Sequence, residues 1–257
     1  MREVLDGKKV FTLEKLKLGE TAQLFHDLSQ DFGNLSPCER KALLKTDRER
    51  LSRATCTLVN CTTLETLFAK IPEINLGEIG DLLEFDHIAL FIPSPLEIVA
   101  SWLAQTGQYQ DEAIIFPSTI VAKRLEQRYF PDSQKIEIPT TILLATLTGV
   151  ESSRSLELFI PTPKPGVLTK KVITQEVDRG HESHLAFRLQ KPSEANLKAI
   201  INTLEKSLDF ETGGINRHQN ITLIYYRNPE TGARIEIICD GTFDIFSENQ
   251  LFPASDR

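Results

Sequence analysis

Phe85-Asp86-His87-Ile88-Ala89-Leu90-Phe91-Ile92-Pro93-Ser94-Pro95 reads as a strand that carries one histidine and runs into the start of a helix. The chain says it twice. In Ser183-His184-Leu185-Ala186-Phe187-Arg188-Leu189-Gln190-Lys191-Pro192-Ser193, His184 aligns with His87 without a gap, Ala186 with Ala89, Pro192 with Pro95, and Glu194 follows as the counterpart of Glu97. A repeated strand–histidine–helix unit implies a repeated structural module, and such repeats set the fold before any other pattern.

Outward from Pro95, Leu96, Val99, Ala100 and Leu103 keep helical spacing up to Gly107. Ala113-Ile114-Ile115-Phe116 reads as a second strand. A short inserted helix follows over about 117–130, then a β-branched strand over 136–148 with a bend at Pro139, and a fourth strand at 155–160. A Pro-rich linker and a short helix over 167–178, stopped at Gly180, lead into the second copy. That copy reads as a strand at 183–190, a helix from Pro192 or Ser193, and a short strand at 210–214 running into glycine. Strands at 220–227 and 234–239 follow, joined by the Asn228-Pro229-Glu230-Thr231-Gly232 hairpin turn.

Before the first module, residues 1–80 read as helical. A first helix carries the stripe Leu13 to Leu28 and His26, which is taken as structural or exposed. A second starts at Ser36 with Pro37 at its first position and Glu39 closing a capping box, and runs to about Ser52. A third begins near Thr62 and ends before Pro72. The expected fold class is α+β: two paired βαβββ modules forming a curled mixed-sheet cup, preceded by an N-terminal helical region. The expected boundaries are 1–80 for that region, 84–161 and 182–240 for the modules, 162–181 for the linker with its short helix, and 241–257 for a tail.

With 257 residues, 40% of them hydrophobic and 25% charged, the chain has the composition of a globular protein with a sizeable core. A net charge of −7 argues against nucleic acid or an anionic membrane as partner. The N-terminus lacks the apolar core of a signal peptide, and no apolar run reaches the ~20 residues of a membrane span, so a cytoplasmic location is expected. Four cysteines (Cys38, Cys56, Cys61, Cys239) without a Cys-x-x-Cys pair read as buried thiols rather than as a zinc knuckle.

Strand residues alternate between faces. His87, Ala89 and Phe91 oppose Ile88, Leu90 and Ile92, and His184, Ala186 and Arg188 oppose Leu185, Phe187 and Leu189. In the fourth strands Glu157 opposes Leu156 and Leu158, and Glu236 opposes Ile235 and Ile237. The aliphatic faces are suited to pack on helices. Two imidazoles and two carboxylates are left on the other side, a donor set for a divalent metal such as Fe, Mn, Ni, Co or Zn. A lone strand histidine is ordinarily structural, and a glutamate among leucines is ordinarily a solvated face. Recurrence of all four at matching places favours the metal site.

These motifs (Asp86-His87-Ile88-Ala89-Leu90, Leu156-Glu157-Leu158-Phe159, Ser183-His184-Leu185-Ala186-Phe187 and Asn228 through Ile237) resemble the vicinal oxygen chelate superfamily, over roughly residues 84–240. The run from Leu156 to Phe187 is most similar to its methylmalonyl-CoA epimerase-type branch. The resemblance implies His87, Glu157, His184 and Glu236 as metal ligands, or His87, His184 and Glu236 alone in a dioxygenase. It implies isomerase- or lyase-like chemistry on a small oxygen-rich substrate through an enolate-like intermediate, with Glu157 or Glu236 as general base. The alternatives are an Fe(II) dioxygenase and a metal-free small-molecule binding protein on the same fold. The inserted helix and the N-terminal region depart from the family pattern. The N-terminal helices are read as a lid or a dimerisation element, which makes a homodimer one expectation.

Other polar residues are weighed beside these four. Arg188 shares a face with His184 and is suited either to a substrate carboxylate or to an ion pair. Tyr225 and Tyr226 take opposite faces, and Tyr226 is placed with Arg188 and His218 among candidate substrate contacts. His181 is a candidate proton shuttle or an exposed loop residue, and Arg227 and Arg234 are read as solvated.

Overall fold

The computed structural model describes residues 9–13, 35–60, 77–131, 138–149, 154–162, 170–218, 220–230 and 232–243. The elements are β1 (Lys9–Thr12), α1 (Pro37–Asn60), a 3-10 turn (Gly77–Leu82), β2 (Leu83–Phe91), α2 (Leu96–Thr106), β3 (Tyr109–Pro117), α3 (Thr119–Tyr129), β4 (Thr140–Leu147), β5 (Ser155–Pro161), α4 (Lys170–Arg179), β6 (His184–Leu189), α5 (Glu194–Ser207), β7 (Glu211–His218), β8 (Ile221–Arg227) and β9 (Arg234–Asp240). This is the α+β class, with a mixed sheet and with the strand–helix–strand–strand–strand order present twice.

The chain forms two compact units, one of residues 1–59 with 89–182 and one of residues 60–88 with 183–257. β2 contributes to both: Leu83–Ile88 belongs to the second unit and Ala89–Phe91 to the first. In the first unit β1, β3, β4 and β5 pair in that order, all antiparallel, and β5 neighbours β2. The Ile92 N–H donates to the Phe159 carbonyl at 2.9 Å. In the second unit the order is β2, β6, β9, β8, β7. The β6–β9 pair is parallel, and β9–β8 and β8–β7 are antiparallel. In both copies the first strand of the repeat therefore lies beside its last, so the strand bearing a histidine borders the strand bearing a glutamate.

Local chemistry accounts for the element ends. The Ser36 hydroxyl accepts from Glu39 N–H at 3.3 Å, and the Glu39 carboxylate accepts from Ser36 N–H at 2.8 Å, which is the capping box that starts α1. Ser118 caps α3 through Val121 N–H, and Ser193 caps α5 through Asn196 N–H. α2 has no side-chain cap at Pro95; just before it, buried Asp47 of α1 accepts from Ser94 N–H at 3.0 Å and from its hydroxyl at 2.6 Å. Gly107 ends α2 and Gly180 follows α4, both with positive φ.

In the first unit Val121 and Leu125 of α3 pack with Ala89, Phe91, Ile138, Ile142 and Phe159. The inserted helix thus covers the Ala89–Phe91–Phe159 face, which alternation assigns to the polar side of the strands. Arg128 of α3 makes an ion pair with Glu176 of α4, and with Glu182 at 3.1 Å; Arg124 joins Glu182 at 3.3 Å. Ile98 packs with Leu35, Val172 and Ile173, with Leu43 and Leu44 against them, so α1, α2 and α4 share a second cluster. In the second unit Leu197, Ile200 and Leu204 of α5 are buried, and Phe85 lies against Phe187 with ring centroids 5.7 Å apart.

Several expectations are corrected. Residues 1–80 are not uniformly helical, because Lys9–Thr12 is a strand paired with β3; four residues are too few to show a period of their own. α1 continues past Ser52 to Asn60 because Ala54, Thr55 and Leu58 bury its last turns. β3 begins at Tyr109 rather than Ala113, with a register shift between Tyr109 and Ala113, and β7 extends to His218 across a shift between Thr212 and Gly214. β4 starts at Thr140, after Pro139, which has no N–H for the ladder. Cys56 is exposed rather than buried, as is Cys38; Cys239 is buried. The helices expected over 13–28 and 62–72, with His26 and Cys61, lie outside the described residues apart from Leu13. Among the described residues no helix is long and apolar enough to cross a membrane.

Candidate metal centre

Three strands of the second unit carry three of the expected ligands. β2 supplies His87, β6 supplies His184 and β9 supplies Glu236. In the parallel β6–β9 ladder Ala186 lies beside Glu236, and His184 stands two residues before Ala186 on the same face. Ala89 stands in the same relation to His87.

The geometry converges on one atom. Glu236 Oε2 lies 3.3 Å from His184 Nε2 and 3.4 Å from His87 Nε2. The two imidazole centroids are 5.5 Å apart, nearly edge to face. His87 and Glu236 are buried, 8% and 5% exposed, and His184 is partly so. Burial alone would raise the Glu236 carboxyl above its usual pKa of 4.5, but hydrogen bonds and charge from His184 and His87 hold it well below.

The donor set fits a divalent ion on both chemistry and spacing. Metal–donor bonds of about 2.1 Å put neighbouring donors ~3.0 Å apart in an octahedron and ~3.4 Å apart in a tetrahedron. Both nitrogen–oxygen separations fall in that window, and one ring nitrogen of each histidine lies within 4.8 Å of the other's.

His87 is oriented from behind. Its Nδ1 lies 2.8 Å from Asp86 Oδ1, while Arg188 Nε donates to Asp86 Oδ2 at 3.0 Å. Burial would raise the Asp86 carboxyl, but the hydrogen bond and charge of His87, with Arg188, hold it below 3.8. An ionised carboxylate only accepts, so the His87 proton facing it sits on Nδ1 and Nε2 is directed at Glu236.

Glu157 is half-buried on β5 of the first unit, beside Leu144 in the β4 register. The guanidinium of Arg188 is held by Asp86 and, at 3.0 Å, by Asp240. Tyr226 is 1% exposed, and burial, reinforced by the charge of Glu205, pushes its hydroxyl well above 10. The tyrosine beside the site is Tyr225, whose ring stands edge-on to His184 at 6.1 Å. Its place follows from the β8–β9 register, where Tyr225 pairs with Glu236 and Tyr226 with Ile235. His218 ends β7, paired with Ile221, and His181 lies in the turn before β6. Sequence reasoning missed Asp86 and Asp240; an acid directly before a strand histidine was the available signal for Asp86.

No family model matches the chain, and no curated protein does. Solved structures do. A hypothetical protein from Bacillus halodurans is 10% identical with a TM-score of 0.36, over 63% of this chain and 96% of its own. Methylmalonyl-CoA epimerase from Mycobacterium tuberculosis is 15% identical with a TM-score of 0.35, over 62% of this chain and 88% of its own. A 4-hydroxymandelate synthase mutant from Streptomyces coelicolor is 16% identical with a TM-score of 0.37, over 72% of this chain and 57% of its own. Likeness this distant says nothing of chemistry, which the side chains must decide.

Proposed function

We propose that this chain is a metal-dependent enzyme of vicinal oxygen chelate type, with His87, His184 and Glu236 as metal ligands, acting on a small oxygen-rich substrate. One observation carries the reading: two imidazole Nε2 atoms stand within 3.4 Å of a single carboxylate oxygen. A divalent ion held there supplies Lewis-acid stabilisation to adjacent substrate oxygens.

The chain's own groups then divide the work. Glu236, pressed below its normal pKa by two imidazoles, is a weak base and serves as ligand. Glu157, its counterpart in the repeat, is the proposed fourth ligand and the general base that accepts a proton from the substrate in isomerase- or lyase-like chemistry. Tyr225, edge-on to His184, restricts that ring's rotation.

A second reading has support in the donor set itself. Two histidines and one carboxylate within one unit also form the triad of Fe(II) dioxygenases. Metal analysis of the untagged full chain tests both. About one ion per chain is expected, lost in His87→Ala and His184→Ala. Sub-stoichiometric metal that neither substitution changes would leave the metal-free binding protein as the reading. Oxygen uptake with catechols or 2-oxo acids separates the dioxygenase from an isomerase, which exchanges a substrate C–H proton with solvent without consuming oxygen.

A further inference from the structure

Arg188 stands four residues after His184 on β6, and Asp240 four residues after Glu236 on β9. Asp86 directly precedes His87 on β2. Each strand that carries a candidate ligand therefore also carries one member of a polar chain. Its links are Asp240 Oδ1 to Arg188 Nη1 at 3.0 Å, Arg188 Nε to Asp86 Oδ2 at 3.0 Å, and Asp86 Oδ1 to His87 Nδ1 at 2.8 Å.

We propose that Asp86 and Arg188 are positioning residues for the metal centre, with Arg188 acting through Asp86 on His87 rather than on substrate. The inference rests on the metal-centre reading and adds to it how the ligand is prepared. A carboxylate on Nδ1 fixes the imidazole tautomer and ring plane, leaves Nε2 as the metal donor and raises its basicity. Asp86 has two oxygens, one for His87 and one for Arg188, so the guanidinium fixes the carboxylate in the orientation the histidine needs. The bonds also join β2 to β6 and β6 to β9, the three strands whose spacing sets the distances between the ligands. Asp240 is the weakest link, because its side chain is 58% exposed and its ion pair is screened by solvent.

The test is zinc binding by the metal-free full chain, read by competition with a chromophoric chelator. Asp86→Asn is expected to raise the zinc Kd by roughly 10- to 100-fold, and Arg188→Gln by a smaller factor in the same direction. The double variant is expected to match Asp86→Asn alone, because Arg188 has no other route to the metal, and Arg188→Lys recovers part of the loss. Additive losses, or an unchanged Kd in both single variants while the wild type binds zinc, would overturn the relay and leave the centre standing. A wild type that binds no zinc overturns the centre, and the relay with it. Nitrogen-15 spectra of the zinc-loaded wild type need no variant to fold: a proton on His87 Nδ1 with zinc on Nε2 is expected, and zinc on Nδ1 refutes the proposal.

Discussion

Asp47 and Glu236 are both buried carboxylates, and their surroundings push them in opposite directions. Burial raises Asp47 from 3.8 to about 6, although hydrogen bonds from Ser94 and the charge of Arg50 oppose the shift. Its folded pKa lies above its unfolded value, so the folded state binds more protons between those limits. Stability contributed by this group therefore grows as pH falls from above 6 toward 3.8 and is lost as pH rises through 6. A displacement of this size corresponds to roughly 3 kcal/mol. Urea unfolding at pH 7.5 and pH 5 should show the wild type gaining stability relative to Asp47→Asn at the lower pH, and equal gains in both proteins would refute the assignment. Glu236 has the opposite sign and acts at lower pH: its depressed carboxyl stabilises the fold above 4.5 and loses that contribution as pH falls below. At the same scale, Glu236→Gln should weaken zinc binding more than Asp86→Asn does, because it removes a ligand and not the support of one. Alternation along a strand made His87, His184 and Glu236 visible as candidates in the sequence. It could not choose between Tyr225 and Tyr226, because that choice is made by the β8–β9 register. The pairing of Arg188 with Asp86 is equally remote, since a hydrogen bond across neighbouring strands has no local signature.

At the scale of elements, α3 is the departure with most consequence. Its amphipathic pattern identified it as a helix, and its Ser118 cap marks where it starts. Where it docks was not legible, because Val121 and Leu125 fit any apolar surface, and the one they meet includes Ala89 and Phe91, just beyond His87. Leu125 is fully buried, so Leu125→Ala should cost about 2–5 kcal/mol in denaturant unfolding. A cost below about 1 kcal/mol would mean that α3 does not pack on this face. The capping box of α1 predicts a smaller effect: Ser36→Ala should cost about 1 kcal/mol and Ser36→Asp much less, read from thermal unfolding. The box was readable because its residues are three apart. The continuation of α1 to Asn60 was not, because burial of Leu58 depends on distant packing, as does the hydrogen bond from Arg154 to the Leu58 carbonyl.

In the whole molecule, β2 is the strand both units need. Leu83–Ile88 completes the sheet of the second and Ala89–Phe91 that of the first, so neither can lose its sheet without disturbing the same nine-residue strand. A single cooperative transition is expected in urea. Leu125→Ala in the first unit and Leu197→Ala in the second should both move it; two separable transitions, each sensitive to one substitution, would contradict this. The repeat that begins at Phe85 and returns at Ser183 was sufficient for the α+β class, for the order of strands and helices, and for three of the residues that meet at Glu236 Oε2. Those features follow from alternation and periodicity, which depend on neighbours along the chain. The division of β2 between two units, the helix laid over the Ala89–Phe91 face, and the Asp240–Arg188–Asp86 chain behind His87 have another origin. Each depends on which strands lie side by side, and that is settled by packing between residues far apart in the chain, 52 positions for Arg188 and Asp240 and 102 for Arg188 and Asp86, beyond the reach of any local pattern.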